Sequence, residues 1–305
     1  MPDISPKVAE FLNTHWNPGM GAIDGHDLRF IHSILCETEP KAVVEIGCAS
    51  GVSTSLLAMM LPDAKVHSFD KGERFYADKT KEVGYLAKAL SPEGRAAIEI
   101  SSGCTSLNVQ DHYEPNSIDF CFIDAAHKHP WPAIDTLAVL PLMKPGSYIV
   151  HHDLNMFRGK GMQYATGPKA IFELTPGNLR STFASRVDKS ETVGLKTRHI
   201  TNNIFAIRVP KHKARLAERI SEAFLLNWDP MRAGKLVPDE HADEFQKFLD
   251  RTHNPIVGSN FRLGRARMDI FARPARQKNK VVAKQPSANG VIAKAMRIVG
   301  LRSST

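Results

Sequence analysis

The stretch KAVVEIGCASGVSTSLLA, residues 41–58, contains an apolar strand, a turn with two glycines and the start of a helix. Gly47 and Gly51 lie in the turn, where a close backbone approach or a positive φ excludes a Cβ. A strand end beside a helix N-terminus is a place where ligands bind. The spacing E-x-G-x-x-x-G differs from the G-x-G-x-x-G that cradles a pyrophosphate, and it favours another nucleotide-like ligand. A tight turn without any ligand is the alternative.

Further strands follow, and polar residues gather after each of them. The second strand, Lys65 to Phe69, ends in Asp70, about 20 residues after the glycines, where an acidic residue typically accepts hydrogen bonds from ribose hydroxyls. Alternating strands and helices predict an α/β fold with a doubly wound, mostly parallel, Rossmann-like sheet and a site at its carboxyl edge. The next three strands end before Ser102-Gly103-Cys104, Asp124 and His151-His152-Asp153.

Five stretches together resemble the class I S-adenosylmethionine-dependent methyltransferases. The similarity covers roughly residues 25–210 and is greatest to the small-molecule O-methyltransferases of the catechol, caffeoyl-CoA and macrolide-sugar type. It implies an enzyme that methylates a hydroxyl of a small molecule or a sugar. The stretches are VVEIGCASGVSTS (43–55), HSFD (67–70), IDFCFIDAAHKH (118–129), LPLMKPGSYIVHHD (140–153) and TNNIFAIRVP (201–210).

The same resemblance implies which residues bind S-adenosyl-L-methionine. Glu45 would meet the methionine amino group, and the glycine turn would pass beneath the methionine and the ribose. Asp70 would hold the ribose hydroxyls; an N-cap on the next helix is its alternative role. The full predicted set is Glu45, Gly47, Ala49, Gly51, Ser53, Asp70, Ser102, Gly103, Cys104 and Asp124.

Two strand-end carboxylates suggest a divalent cation. Asp124 and Asp153 follow neighbouring strands, so they should share one rim of the sheet, where Mg²⁺ takes one or two carboxylates and the substrate's oxygens. The predicted metal ligands are Asp124, His152 and Asp153. In the metal-dependent relatives His152 is replaced by Glu or Asp, so a softer ion such as Mn²⁺, or no metal, fits this set equally.

His127 is the predicted catalytic base, together with Asp124. It lies three residues after Asp124 in a D-x-x-H motif, which supplies the base in the macrolide-sugar enzymes that this chain resembles. Imidazole also exchanges protons near neutral pH. A histidine that only caps the following helix is the alternative. His129 and His151 are weaker candidates, and Trp131 fits either a substrate wall or a packing role.

Composition indicates a globular protein in a reducing compartment. Hydrophobic residues make up 42% of the 305 residues and charged residues 24%. The four cysteines form no C-x-x-C pair, which favours the cytoplasm. The start of the chain has no apolar region after a basic one, so a secretory signal is not expected. The amphipathic segment 211–229 predicts a packing or homo-oligomer face.

The positive charge is concentrated in the last 47 residues. Residues 259–305 contain eleven Lys or Arg and one acidic residue, whereas the rest of the chain is close to neutral. Residues 290–302 repeat apolar positions at helical spacing between basic ones, which suits an anionic membrane surface or a partner. A packed helix or a solvated tail is the alternative. Nucleic-acid binding is ranked lower because stacking aromatics are scarce.

These observations predict four segments. They are an N-terminal helical cap (1–40), an S-adenosylmethionine-binding domain (41–210), a helical segment (211–258) and a basic, flexible tail (259–305). Two other functions remain open from the sequence. One is a catalytically degenerate member that keeps the fold as a binding scaffold. The other is an NAD-dependent oxidoreductase, which the glycine spacing disfavours.

Overall fold

A seven-stranded sheet forms the centre of the chain. The computed structural model describes residues 3–17, 23–90, 94–95, 97–198, 202–229 and 236–282, with side chains as far as residue 268. The strand order is β3-β2-β1-β4-β5-β7-β6. Strands β1 to β5 are parallel, and β7 is antiparallel to both neighbours. The strands are β1 Ala42–Ile46, β2 Lys65–Asp70, β3 Ile98–Ser102, β4 Ile118–Ile123, β5 Met143–His151, β6 Arg180–Thr182 and β7 Phe205–Arg208. The predicted doubly wound, mostly parallel sheet is confirmed.

Helices connect the strands and cover the sheet. The second helix begins with a capping box, in which the Asp24 side chain accepts the backbone N–H of Asp27 and Asp27 accepts that of Asp24. The α-helices in the described residues are α1 Pro6–His15, α2 Gly25–Thr38, α3 Val52–Met60, α4 Trp131–Val139, α5 Gly167–Leu174, α6 Phe183–Arg186, α7 Ala214–Ser221, α8 Asp239–Thr252 and α9 Pro255–Val282.

The sheet separates two hydrophobic clusters. Successive side chains of a strand point to opposite faces, and in β1 Val44 and Ile46 belong to one cluster while Val43 belongs to the other. All three are buried. The sheet is therefore the middle of three layers, with a hydrophobic cluster on each face.

The last helix departs from the predicted tail. Helix α9 crosses the boundary that the sequence placed between residues 258 and 259. Phe261 is fully buried and packs edge-to-face on Phe224, with ring centroids 5.0 Å apart. Arg262 pairs with Asp250. The first turns of the segment 259–305 thus pack against the domain because their apolar residues meet a buried aromatic cluster. The amphipathic stretch 290–302 lies outside the described residues, and the four-segment division stays a prediction.

No helix in the described part of the chain is long and apolar enough to cross a membrane. The basic C-terminal helix carries too many charged residues for such a span.

Candidate active site

A cavity of about 720 Å³ opens at the carboxyl ends of the parallel strands. Such edges are where ligands bind in open α/β sheets, and the volume is in the range of small-molecule sites. The cavity is lined by Ile46, Gly47, Ala49, Phe69, Asp70, Lys71, Tyr76, Cys104, Thr105, Ser106, Asp124, Ala125, Ala126, His127, Lys128, Trp131, Asp135, Asp153, Met156, Leu236 and Pro238.

The glycine turn forms one wall of the cavity. Gly47 has a φ of +99°, and a Cβ there would lie 2.4 Å from the carbonyl oxygen of Asp124. Ala49 also adopts the left-handed region, with a φ of +47°. A non-glycine residue in this region stores backbone strain that the surroundings must maintain, and such strain is typical of functional sites. The turn therefore brings β1 against β4 and exposes backbone at the cavity.

Asp70 holds this turn in place while it faces the cavity. One carboxylate oxygen accepts the backbone N–H of Ala49 at 2.9 Å, and the other accepts that of Gly72 at 2.7 Å. Each oxygen keeps a second lone pair for a ligand. No helix begins after Asp70, since residues 71–86 are turns and irregular backbone. The structure thus gives Asp70 no helix to cap, and a ligand role remains open to it.

Glu45 and Ser53 lie beneath the turn, and neither lines the cavity. Glu45 is fully buried and accepts hydrogen bonds from the hydroxyls of Ser53, Thr54 and Ser68, the last at 2.6 Å. Burial raises the pKa of Glu45 to about 7, although the three hydroxyls oppose that shift. Its contacts join β1, α3 and β2 under the turn, and its contact with the methionine amino group stays a prediction.

The remaining predicted cofactor residues divide between cavity and surroundings. Cys104 lines the cavity, but Gly51, Ser102 and Gly103 do not. A Cβ on Gly51 would lie 2.9 Å from the Cα of Gly84, so this glycine serves backbone packing. The structure thus assembles only part of the predicted set around one volume.

Asp124, His152 and Asp153 come together as the sequence predicted. Their potential ligand atoms all lie within 4.8 Å of one another. The imidazole of His152, however, is fully enclosed between carboxylates. Its Nδ1 lies 3.1 Å from Asp124 and its Nε2 lies 3.0 Å from Asp27. Two carboxylate acceptors require both ring nitrogens to carry protons, which leaves no lone pair for a metal.

The charges around His152 support this protonation state. Burial alone would lower the pKa of His152, but Asp124, Asp153 and Asp27 raise it well above its usual value. Burial would raise the pKa of Asp27, but the adjacent His152 brings it below its usual value. Burial raises the pKa of Asp124, and Asp153 adds to this rise. Three carboxyl groups thus surround the imidazole of His152, and Asp27 and His152 are held in their charged forms.

His127 lines the cavity and pairs with Asp153. Its Nε2 lies 3.3 Å from one carboxylate oxygen of Asp153, and the other oxygen accepts a 2.8 Å hydrogen bond from Asn203. Asp153 has a φ of +59°, a second non-glycine residue in the left-handed region at this site. Helix α4 has no side-chain cap, so His127 does not cap it. The arrangement is a histidine oriented by a fixed carboxylate.

The other two histidines are structural. His151 is buried, stacks on Phe205 at 5.1 Å and has its Nε2 3.0 Å from the Thr136 hydroxyl. Burial lowers the pKa of His151 to about 3. The buried His129 has its Nε2 2.8 Å from the carbonyl oxygen of Ala223. Neither lines the cavity.

Trp131 walls the cavity. Its indole N–H donates to the carbonyl oxygen of Leu236 at 3.1 Å, and the ammonium of Lys71 lies 5.4 Å from the centre of its ring. Trp131 also packs against the hydrophobic core, so the structure agrees with both roles that the sequence left open.

Several site residues were not found from the sequence. Asp27, in the first turn of α2, contacts His152 across 125 positions of the chain. Its only sequence signal is the D-x-x-D of a capping box, which points to a helix start and not to a site. Asn203, Tyr76 and Asp135 likewise carry no motif. Burial and the carboxylates of Asp124 and Asp153 raise the pKa of Tyr76, and all three residues line the cavity.

Comparison with known proteins agrees with this geometry. Residues 44–154 match the family described as "Methyltransferase domain". This part of the chain therefore resembles methyltransferase domains. The match covers β1 to β5 and includes the glycine turn, Asp70, Asp124, His127 and Asp153. It confirms the resemblance drawn from the sequence and the expectation of a methyltransferase. A search of curated proteins gave no match.

Solved structures add distant likenesses to the methyltransferase domain. The O-methyltransferase TomG from Streptomyces achromogenes, in complex with SAM, is 20% identical with a TM-score of 0.46, over 67% of this chain and 88% of that one. An O-methyltransferase from Bacillus cereus in complex with SAH is 16% identical with a TM-score of 0.46, over 68% and 92%. Both the sequence identities and the TM-scores are low, so the fold is assigned from the observed sheet alone.

Proposed function

We propose that the chain is an S-adenosylmethionine-dependent O-methyltransferase that acts on a hydroxyl of a small molecule or a sugar. The proposal is based on two walls of one cavity. The glycine-turn wall (Gly47, Ala49 and Asp70) and the ionisable wall (Asp124, His127 and Asp153) both line this cavity at the strand ends. The buried His152 contacts Asp124 of the ionisable wall. One wall suits a ribose-bearing ligand and the other suits the removal of a proton.

The residues present fit S-adenosylmethionine. Asp70 offers carboxylate lone pairs to ribose hydroxyls, and Ala49 exposes backbone where a larger side chain would intrude. Cys104, Thr105 and Ser106 follow β3 and suit the adenine. The carboxyl groups of Asp124 and Asp153, which both line the cavity, favour a cationic ligand such as a sulfonium. We propose these contacts for the cofactor, while Glu45 and Ser53 support the turn from below.

His127 serves as the general base in this proposal. S-adenosylmethionine supplies an electrophilic methyl group on a sulfonium, so that a C–O bond forms as a C–S bond breaks. The Nε2 of His127 lies 3.3 Å from Asp153, and a proton on this nitrogen would leave the Nδ1 lone pair to take the proton of the acceptor hydroxyl. Asn203 and His152 hold Asp153, and Asp153 fixes the tautomer of His127. Positioning supplies much of the remaining rate.

A divalent metal does not fit the predicted three-residue set. Both nitrogens of His152 face carboxylates, and one oxygen of Asp153 faces His127. Asp124 and Asp153 alone would remain as ligands for Mg²⁺ or Mn²⁺. We propose that methyl transfer proceeds without a metal and that the imidazolium of His152 balances the charge that a metal would otherwise balance.

The rival functions are less well supported by the site. A binding scaffold has no physical need for strained backbone at Ala49 and Asp153 or for a buried charge cluster. An oxidoreductase would need a pyrophosphate cradle, but Gly47 is packed against Asp124 and Gly51 against Gly84. The cytoplasmic location and the homo-oligomer face remain predictions from the sequence.

Transfer of a labelled methyl group tests the proposal. The intact chain is incubated with methyl-labelled S-adenosylmethionine and with phenol, glycan and lipid fractions of a cell extract. We expect label in a small-molecule or glycan product, and a loss of that product with the His127→Gln variant. Failure to label any fraction, or equal labelling by the variant, would count against the assignment.

The basic tail is a separate proposal about the same enzyme. We propose that residues 275–305 bind anionic membranes weakly, which would bring the enzyme near a lipid-linked or glycan acceptor. Co-sedimentation with anionic vesicles at low and high salt, for the intact and truncated chains, tests this. Equal sedimentation of the intact and truncated chains would contradict membrane binding by residues 275–305.

A further inference from the structure

A second group of metal-ligand side chains lies outside the cavity, on β2 and the edge strand β3. His67 of β2 is paired in register with Glu99 of β3, and His112 follows the short 3₁₀ helix Ser106–Asp111. Their potential ligand atoms all lie within 4.8 Å of one another. None of the three lines the cavity, so the proposed methyl transfer gives them no role.

His67 is held in place by its neighbours. It is 3% exposed, its ring stacks on Phe69 at 4.1 Å, and the ring of His112 stands edge-on to it at 4.8 Å. The other two ligands are exposed and free to adjust.

The distances suit a small tetrahedral ion. The Nε2 of His67 lies 3.7 Å from a carboxylate oxygen of Glu99. Metal–ligand bonds of about 2.0–2.2 Å in tetrahedral geometry separate two ligand atoms by roughly 3.4 Å. Shifts well below the length of a side chain would therefore close the site, and only His112 and Glu99 need to move.

Two features oppose binding and limit its strength. The Nε2 of His67 shares a 2.9 Å hydrogen bond with the Ser101 hydroxyl, which metal binding would replace. The ammonium of Lys65 also lies near enough to lower the pKa of His67, so it repels a cation. A hydrogen-bonded histidine beside an exposed carboxylate is the simpler alternative, and the experiment must separate the two.

We propose that His67, Glu99 and His112 form a surface site for a borderline divalent ion of the Zn²⁺ type, with water as the fourth ligand. Two imidazoles and one carboxylate suit Zn²⁺, Co²⁺ or Cu²⁺ and do not suit Mg²⁺ or Ca²⁺. Bound metal joins β2, β3 and the segment after the 3₁₀ helix. Because Phe69 stacks on His67 and lines the cavity, the ion would also brace that wall.

Titration of the intact chain with Co²⁺ tests the site, since ligated Co²⁺ absorbs visible light. The protein is made without a histidine tag. We expect one Co²⁺ per chain, displaced by Zn²⁺, and at least a tenfold weaker binding in His112→Ala and in Glu99→Gln. His212→Ala is the matched control, because His212 is exposed and follows β7, four strands away from β2 in the sheet order. It should bind as the wild type does.

Asp153→Asn separates this site from the ionisable wall of the cavity. The proposal requires Co²⁺ binding to survive this change. Loss of binding in Asp153→Asn with retention in His112→Ala would place the ion in the cavity and overturn the proposal. Absence of Co²⁺ binding by the wild type would overturn it as well.

Discussion

The two walls of the cavity are built by different means. The glycine-turn wall is held by backbone: Asp70 accepts the N–H groups of Ala49 and Gly72, and Gly47 touches the backbone of Asp124. The ionisable wall is held by side chains that come from α2, β4, β5 and the segment before β7. A short motif can encode the first wall, whereas the second exists only once the chain has folded.

The difference also separates two kinds of effect. Changes in the glycine-turn wall should alter cofactor affinity, because that wall contacts a bound ribose in the proposal. Changes in the ionisable wall should alter the rate, because that wall handles the proton. A variant of one wall that changed both the cofactor affinity and the rate would contradict this division.

The largest effect is expected at His127. His127→Gln should lower kcat by about 10²–10⁴-fold, which is the usual contribution of a positioned general base. The affinity for S-adenosylmethionine should stay the same. The measurement is kcat of the two proteins, with calorimetry for the affinity and His212→Gln as control.

Asp70 should give the next largest effect, and on affinity alone. Asp70→Asn keeps the shape of the side chain but removes the charged acceptor for the ribose hydroxyls. The loss should be about 1–3 kcal/mol, or roughly 5- to 150-fold in Kd. Asp63→Asn is the control, since Asp63 is 84% exposed. Unchanged affinity in a normally folded Asp70→Asn protein would remove Asp70 from the cofactor site.

Asp135 should show a smaller effect, on stability. Burial raises the pKa of Asp135 to about 7 against a hydrogen bond from Ser106. A folded pKa above the unfolded one means that stability falls as pH rises between about 4 and 7. In Asp135→Asn this part of the fall in stability should be absent. The stability of the variant relative to the wild type should therefore be about 1–3 kcal/mol higher at pH 8 than at pH 5. Urea unfolding of both proteins at the two pH values measures this difference. An equal change in the free energy of unfolding of the two proteins between pH 5 and pH 8 would contradict the prediction.

The smallest effect should be that of a chelator. EDTA should leave turnover unchanged, because the imidazolium of His152 lies where a third metal ligand would be needed. His152→Asp should create a set of three carboxylates and bind Mn²⁺, which electron paramagnetic resonance detects. Loss of activity in EDTA that Mg²⁺ or Mn²⁺ restores would show that the wild-type site uses a metal.

The sequence predicted the glycine-turn wall well because its signals are local. Gly47 and Asp70 are each marked by their position at the end of a strand, and β1 is the apolar strand that residues 41–58 indicated. Even here, Glu45 was expected to face the ligand. Its register in β1 and its pairing with three hydroxyls turn it into the interior, and neither is visible in a motif.

The ionisable wall was predicted only in part. The strand ends brought Asp124, Asp153 and His127 to one rim, as parallel topology requires. The partners that decide their chemistry are distant: Asp27 precedes His152 by 125 positions, and Asn203 follows Asp153 by 50. Hydrogen-bond partners of this kind depend on tertiary packing, so the protonation of His152 could not be inferred from its type or spacing.

Isothermal titration calorimetry of the intact chain with S-adenosylmethionine, and separately with NAD, tests the central claim most directly. We expect one S-adenosylmethionine to bind per chain and NAD not to bind. The affinity for S-adenosylmethionine should be weakened by Asp70→Asn and unaffected by His127→Gln. Absence of S-adenosylmethionine binding by the folded wild-type protein, or NAD binding that Asp70→Asn weakens, would contradict it.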